Sequence, residues 1–133
     1  MQLHRGMERA ELEARTAAFA AAVFRLTSIV RLKPGGRQAS DQLLDAATSI
    51  GANYRASARA RSRDEFIAKL GTVNEEADEA VYWLEFIVNV QLADAAQVDP
   101  LLDEARQLRA IFAKSCGTAR QNHRANKRRK INR

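Results

Sequence analysis

The side chains best suited to chemistry in this sequence are basic, and the first group of them is a cluster of arginines. Its members are Arg55, Arg59, Arg61 and Arg63. Arg55 and Arg59 are four residues apart and share one face of a helix, which Arg63 continues if the helix does not bend. Guanidinium groups bind phosphates or pair with carboxylates. The cluster therefore indicates either RNA or anion binding, or salt bridges with an acidic helix.

The second basic group ends the chain. Residues 117–133 contain seven Lys/Arg and no acidic residue. These are Arg120, Arg124, Lys127, Arg128, Arg129, Lys130 and Arg133. The remaining residues, 1–116, hold 15 basic and 16 acidic side chains, so the net charge of +6 belongs to the tail. Such a tail can bind phosphates through its charge, or it can serve as a solubilising, disordered end.

Residue types for metal or covalent chemistry are present but wrongly spaced. Helical bundles bind metal pairs with Glu-x-x-His motifs, whereas neither His4 nor His123 follows a glutamate by three residues. Cys116 is the single cysteine and has no histidine partner, and the turn at Lys33–Gly36 lacks the spacing of a phosphate-binding loop. We therefore expect no catalytic residue, no metal, no cofactor and no enzymatic activity.

The elements that position these side chains are four amphipathic helices. Lys33–Gly36 ends the first helix, Ser40 begins the second, Ser62 caps the third in an S-x-x-E capping box, and Asp99 caps the fourth ahead of Pro100. The predicted helices span about 8–32, 40–61, 63–91 and 100–120, between a disordered leader (1–7) and a basic tail (121–133). No strand pattern occurs, so the sequence predicts an all-α, antiparallel up-down four-helix bundle.

The third helix is too apolar for a lone bundle. Its segment Val81–Val90 is apolar nearly all round, and a helix of that kind is buried on every side. Several of its side chains lie away from the predicted Phe66–Val88 core stripe, and helix one has two more. These interface candidates are Tyr82, Trp83, Phe86 and Ile87, with Phe24 and Ile29. They predict a homo-oligomer with helices one and three at its contacts.

The sequence also bears on location. No segment reaches the roughly 18 uninterrupted apolar residues of a membrane span. The apolar run Ala17–Phe24 follows acidic rather than basic residues, unlike a signal peptide. We expect a cytoplasmic protein with no membrane partner.

Four motifs, in order, resemble a known family. They are Thr48–Ala56, Arg59–Leu70, Glu76–Glu85 and Ile111–Arg120. The chain resembles, over roughly residues 11–120, the small bacterial four-helix bundle proteins first noticed as reading frames in intervening sequences of large-subunit ribosomal RNA genes. Cys116 stands where the family usually has an aliphatic residue, and the arginine-rich tail is not a general family feature.

The resemblance implies a ring-like homopentamer with no established catalytic activity. A related branch, the accessory proteins of diversity-generating retroelements, works with a reverse transcriptase and nucleic acid. The expectation is thus a non-enzymatic, oligomeric nucleic-acid-binding or accessory protein that takes RNA or DNA. The alternative is an assembly or adaptor module that binds a protein partner, with the basic residues serving salt bridges and solubility.

Overall fold

A computed structural model describes the backbone of residues 2–132 and the side chains of residues 8–132. It contains four helices: α1 (Gln2–Val30), α2 (Gly36–Ser57), α3 (Arg63–Asn89) and α4 (Ala95–Ile131). The described backbone contains no strand. The prediction of an all-α protein of four helices is therefore confirmed.

The turn between α1 and α2 depends on two glycines. Gly35 has a φ of 80°, a left-handed conformation that costs glycine little. A Cβ at Gly36 would lie 2.0 Å from the carbonyl oxygen of Val30, so no larger residue fits there. Because α2 begins at Gly36, the predicted start at Ser40 is wrong. Ser40 is fully buried inside the helix, and its hydroxyl lies 3.5 Å from the carbonyl oxygen of Thr27.

The connection between α2 and α3 is a tight turn. The N–H groups of residues 58–60 donate to carbonyls three residues back, which ends α2 at Ser57 rather than at the predicted residue 61. Ser62 then caps α3, since its hydroxyl accepts a hydrogen bond from the Glu65 N–H at 3.0 Å. The start of α3 is thus placed where the S-x-x-E pattern predicts it.

The end of α3 adopts a Schellman geometry, two residues before the predicted end. The Leu92 N–H donates to the Ile87 carbonyl at 3.0 Å, and the Gln91 N–H donates to the Val88 carbonyl at 3.1 Å. This geometry needs a left-handed residue at position 91, and Gln91 supplies it with a φ of 61°. A side chain other than glycine is strained there.

Helix α4 begins earlier and ends later than predicted. Its N-cap is Asp94, whose N–H donates to Gln97 Oε1 at 3.3 Å, so the predicted cap at Asp99 is wrong. Pro100 lies inside the helix, where it provides no N–H for the carbonyl of Ala96. The helix continues to Ile131, so the described part of the predicted tail is helical.

The predicted leader also differs from the structure. Helix α1 begins at Gln2, and the backbone of residues 2–7 belongs to it. Met1, Arg133 and the side chains of residues 2–7 lie outside the described part of the chain.

The four helices surround one core. Contacts join α1 to α2, α2 to α3, α3 to α4 and, least extensively, α4 to α1. Ion pairs show which ends meet: Arg31 near the end of α1 pairs with Asp41 near the start of α2. At the opposite end, His123 of α4 contacts Asp64 at the start of α3. The largest fully buried side chains are Phe112, Leu43, Ile50, Leu84, Ile87 and Leu108.

Candidate nucleic-acid interface

The four clustered arginines lie around the turn between α2 and α3. Arg55 is in the last turn of α2, Arg59 and Arg61 are in the connection, and Arg63 is the first residue of α3. All four side chains are exposed. The helical face expected for Arg55 and Arg59, which Arg63 continues only if the helix does not bend, is not formed, because α2 ends at Ser57. They form instead a basic corner that covers one end of the molecule.

The salt-bridge alternative for this corner has limited support in the structure. Arg61 Nε lies 3.6 Å from Glu65 Oε2, but its side chain is 92% exposed, so solvent screens the attraction. The acidic side chains farther along α3 pair with α4. Arg109 lies 2.9 Å from Asp78, and Arg106 lies 3.2 Å from Glu85. The acidic face of α3 thus has cationic partners that do not come from the corner.

The end of α4 presents the second basic group on one continuous helix. All its described cations are exposed, namely Arg120, Arg124, Lys127, Arg128, Arg129 and Lys130. Arg133 lies outside the described residues. Helix α4 has 37 residues, which gives a length of about 55 Å and makes it the longest of the four.

Contacts through Asp64 bring the two basic groups together. Asp64 Oδ1 lies 2.6 Å from His123 Nε2 and 3.9 Å from Lys127 Nζ. Asp64 directly follows Arg63, so the basic corner and the basic end of α4 are neighbours in space. We call the ten described cations of these two groups the basic end.

Arg9 belongs to the same end of the molecule and was missed by the sequence reasoning. Its guanidinium lies 4.4 Å from the centroid of the Tyr54 ring. It also donates to the Tyr54 carbonyl at 3.2 Å and to Ser57 Oγ at 2.9 Å. These partners lie on another helix 45 to 48 positions along the chain, so no local sequence pattern signals the contact. Arg9 therefore anchors α1 to the end of α2.

Burial raises the pKa values of two acidic groups among the described residues. Burial raises the pKa of the Tyr54 phenol above its ordinary value, and the nearby Arg9 cation offsets part of this effect. Burial also raises the pKa of the Glu76 carboxyl, and the neighbouring carboxylates of Glu79, Glu75 and Asp45 raise it further. Glu76 is thus held in an acidic environment, away from the basic end.

The predicted interface residues separate into three classes by the exposure of their side chains. Phe24, Ile29 and Tyr82 are exposed by 60%, 47% and 57%, as expected for side chains without partners in the bundle. Trp83 and Phe86 are partly buried against the core. The assignment of Ile87 is wrong: it is fully buried, because the side of α3 that it occupies faces the core.

Three aromatic rings on α3 form a continuous surface. The ring centroids of Tyr82 and Trp83 are 5.0 Å apart, those of Trp83 and Phe86 are 5.5 Å apart, and those of Tyr82 and Phe86 are 6.5 Å apart. Such edge-on and stacked arrangements are favourable between aromatic rings. We call these three residues the aromatic surface.

The described residues offer little support for a metal site, a reactive cysteine or a membrane span. The side chains of residues 8–132 include no group of three or more potential metal ligands. Cys116 is buried on α4. Within the described part of the chain, none of the helices is both long and apolar enough to cross a membrane.

Comparisons with known proteins agree with this fold. No curated protein matches the chain. A crystal structure of a protein with unknown function, from the S23 ribosomal protein family of Bacteroides thetaiotaomicron, is 27% identical with a TM-score of 0.73. The match covers 78% of this chain and 96% of that one.

The family predicted from the four motifs is tested by a second comparison. The family model described as "23S rRNA-intervening sequence protein" matches residues 9–114, which include all of α2 and α3 and most of α1. The resemblance seen in the sequence is thereby confirmed. The chain belongs to the 23S rRNA-intervening sequence protein family.

Proposed function

We propose that this protein is a non-enzymatic, homo-oligomeric accessory protein of the cytoplasm that binds RNA or DNA through its basic end. The observation that carries the proposal is the meeting of two basic groups that are far apart in sequence. The contact of Asp64 with His123 and Lys127 brings the corner beside Arg63 next to the end of α4. The two groups therefore present one basic surface, on which a single polyanion could contact both.

The charge balance of this end suits a polyanion. Its cations are exposed, and the carboxylates near them, such as Asp64 and Glu65, are fewer than the arginines and lysines. Phosphate contacts release counterions from a nucleic acid, and this release supplies most of the sequence-independent binding energy. An exposed array of Arg and Lys is therefore sufficient for binding without a groove.

Descriptions of related proteins favour RNA as the first nucleic acid to test. The family takes its description from 23S rRNA intervening sequences, and the similar crystal structure is assigned to an S23 ribosomal protein family. A role beside a reverse transcriptase, as in the retroelement accessory proteins, belongs to the same proposal. The absence of an enzymatic role rests on the spacing of His, Cys and acidic residues in the sequence.

A salt titration tests the proposal. Binding of a fluorescently labelled single-stranded RNA is followed by anisotropy between low and moderate salt. If several phosphates are neutralised, the logarithm of affinity falls linearly with the logarithm of salt concentration, with a slope of roughly 0.7 per contacted phosphate. No binding at low salt, or binding that salt does not change, contradicts the proposal.

Matched variants place the site on the molecule. The triple substitution Arg124→Gln, Lys127→Gln and Arg128→Gln should reduce both the affinity and the salt slope. The control substitutes Arg25, Lys33 and Arg37 with Gln, three exposed cations at the opposite end. The control should change both quantities less, because equal charge is removed far from the basic end.

The second candidate function is an assembly or adaptor module for a protein partner. The aromatic surface favours it, together with a cleft of about 490 Å³ between α3 and α4 that Tyr82, Phe86 and Leu102 help to line. Exposed aromatic rings beside a cleft are typical of protein contacts. A specific protein that remains bound after nuclease treatment, with no measurable RNA affinity, would favour this function over the first.

Self-association is part of both candidate functions, nucleic-acid binding and protein binding. We propose that the aromatic surface, with Phe24 and Ile29 of α1, forms the contact between subunits. A ring of antiparallel bundles with five subunits is the assembly that the family resemblance implies. The support from the fold is that these apolar side chains remain exposed or half-buried in the single chain.

A further inference from the structure

A cleft opens beside the basic end, and residues of all four helices contribute to its lining. Its volume is about 450 Å³, within the range of roughly 300–1,000 Å³ that is usual for ligand pockets. Tyr54, Phe66 and Leu70 contribute its aromatic and apolar lining, while Arg63 and Lys114 supply cations. Because Arg63 also belongs to the basic corner, the cleft and the basic end share a side chain.

The lining combines an aromatic ring, a guanidinium beside that ring, and side chains that can form hydrogen bonds. Phe66 offers a flat ring, and the Arg63 guanidinium lies 5.6 Å from its centroid. Thr118 and Asn122 are exposed side chains of α4 that can donate and accept hydrogen bonds. Glu8 adds an acidic side chain to the lining. A nucleotide has a flat base with polar edges and an anionic phosphate, which match the ring, the hydrogen-bonding side chains and the cations Arg63 and Lys114 of this lining.

We infer that this cleft binds one unstacked base of a single-stranded nucleic acid, and the inference rests on the proposed function. The base stacks on Phe66 and the Arg63 guanidinium, and its edge meets Thr118 and Asn122. The adjoining phosphates lie against Arg63 and Lys114, from which the strand continues over the basic end. Stacking on aromatic rings and arginine planes is the usual way in which proteins hold unpaired bases.

The cleft predicts a preference for single strands. A duplex must unpair and unstack a base before that base can enter, which costs a few kcal/mol. The basic end by itself does not discriminate, because both forms present phosphates. A protein that used charge alone would bind a duplex at least as well as a single strand.

The test compares oligomers that differ only in their bases. Anisotropy measures binding of the full-length protein to a single-stranded RNA and to an abasic strand with the same number of phosphates. The RNA should bind more tightly by roughly 5-fold or more, the range of one stacked base. Phe66→Leu keeps an apolar side chain without the flat ring, and should lower RNA affinity towards the abasic value while leaving abasic binding unchanged.

Two further variants keep the test independent of folding. Ile67→Leu is the matched control, since Ile67 is partly buried on the same helix and does not line the cleft. The double substitution Thr118→Ala and Asn122→Ala alters exposed positions, and should lower RNA affinity but not abasic affinity.

The outcomes separate this inference from the proposed function. Equal binding of RNA and abasic strands by the wild-type protein overturns the base site but leaves charge-based binding intact. Equal loss of RNA and abasic binding in Phe66→Leu, with Ile67→Leu unaffected, also overturns it. Failure to bind either strand at low salt contradicts the proposed function as well.

Discussion

At the scale of single residues, Gln91 at the end of α3 is the one described residue other than glycine with a positive φ. Gln91 adopts a left-handed conformation with a φ of 61°, so that the Schellman hydrogen bonds of Leu92 and Gln91 can form. The side chain contributes a steric cost that glycine would not have. The sequence does not signal this end, because glutamine is not a usual residue for it.

Replacing this residue should stabilise the protein. Gln91→Gly is expected to raise the free energy of unfolding by about 0.5–1 kcal/mol, the relief of left-handed strain less the greater entropy of glycine in the unfolded chain. Urea denaturation followed by circular dichroism measures the change. Asn89→Gly, in the last helical residue, is the control and should destabilise, because its conformation is already helical. A loss of stability in Gln91→Gly would contradict the strain argument.

The carboxyl group of Glu76 provides a pH-dependent prediction. Its folded-state pKa is raised, so its contribution to stability is fully present below the ordinary glutamate pKa of about 4.3 and is lost as pH rises through the folded value. Glu76→Gln removes the charge and should raise the melting temperature at pH 7. The gain should shrink towards zero below about pH 4, where both side chains are neutral.

Thermal melts across this pH range check the prediction. Glu85→Gln is the comparison, because Glu85 pairs with Arg106 at 3.2 Å and its neutralisation should bring no gain. An unchanged melting temperature of Glu76→Gln at pH 7 would contradict this prediction. It would mean that the carboxylates around Glu76 are neutralised in the assembled protein and do not repel its charge.

At the scale of elements, the feature that matters most is the length of α4. The helix continues beyond its last buried residue, Ala119, to Ile131. From residue 124 onwards its described side chains are exposed. We therefore expect this segment to contribute little to the stability of the bundle, so that its role in binding can be tested on its own.

Deletion of residues 124–133 tests that separation. The free energy of unfolding should change by less than about 1 kcal/mol, because Lys127 and Asp64 of α3 form only a long surface ion pair, with 3.9 Å between Nζ and Oδ1. The helical signal per molecule should fall, and RNA affinity and its salt slope should fall with it. A large loss of stability would show that the segment packs on the bundle or on another subunit.

At the scale of the whole molecule, the surface of the single chain is uneven. The basic end occupies one end of the molecule. Helix α3 carries the aromatic surface, and α1 carries the exposed side chains of Phe24 and Ile29. Burying one large apolar side chain contributes roughly 1.5–3 kcal/mol, so association that covers several of them is favourable.

Because Ile87 is buried in the core, a substitution that tests the assembly has to be made at an exposed ring such as Tyr82. Tyr82→Glu introduces a charge on the aromatic surface without disturbing the core, and should give smaller species in light scattering with a helical spectrum unchanged. Gln121→Glu places the same charge on an exposed position of α4 and should leave the mass unchanged. A monomeric wild-type protein at micromolar concentration would contradict the interface, and the rings would then belong to a partner site.

Much of the helix pattern follows from the sequence because it depends on local physics. Apolar side chains at three- and four-residue steps define helical faces, and Ser62 caps α3 through a hydrogen bond to a residue three positions on. Family membership also follows, since its motifs are continuous stretches. The predicted starts of α2 at Ser40 and of α4 after Asp99 are wrong for different reasons. Ser40 is buried by a neighbouring helix, which its sequence does not show. Asp94 and Asp99 are both suitable caps, and the helix begins after the earlier one.

The tertiary structure alone decided what those helices bring together. No spacing in the sequence places His123 beside Asp64, Arg9 over Tyr54, or Ile87 in the core, because each depends on packing between residues remote along the chain. The sequence is sufficient to predict that the chain is helical, that its last residues are basic, and that α3 has more apolar surface than one bundle can bury. Only the packed bundle unites the two basic groups beside one cleft, since a bundle juxtaposes helix ends that the chain separates.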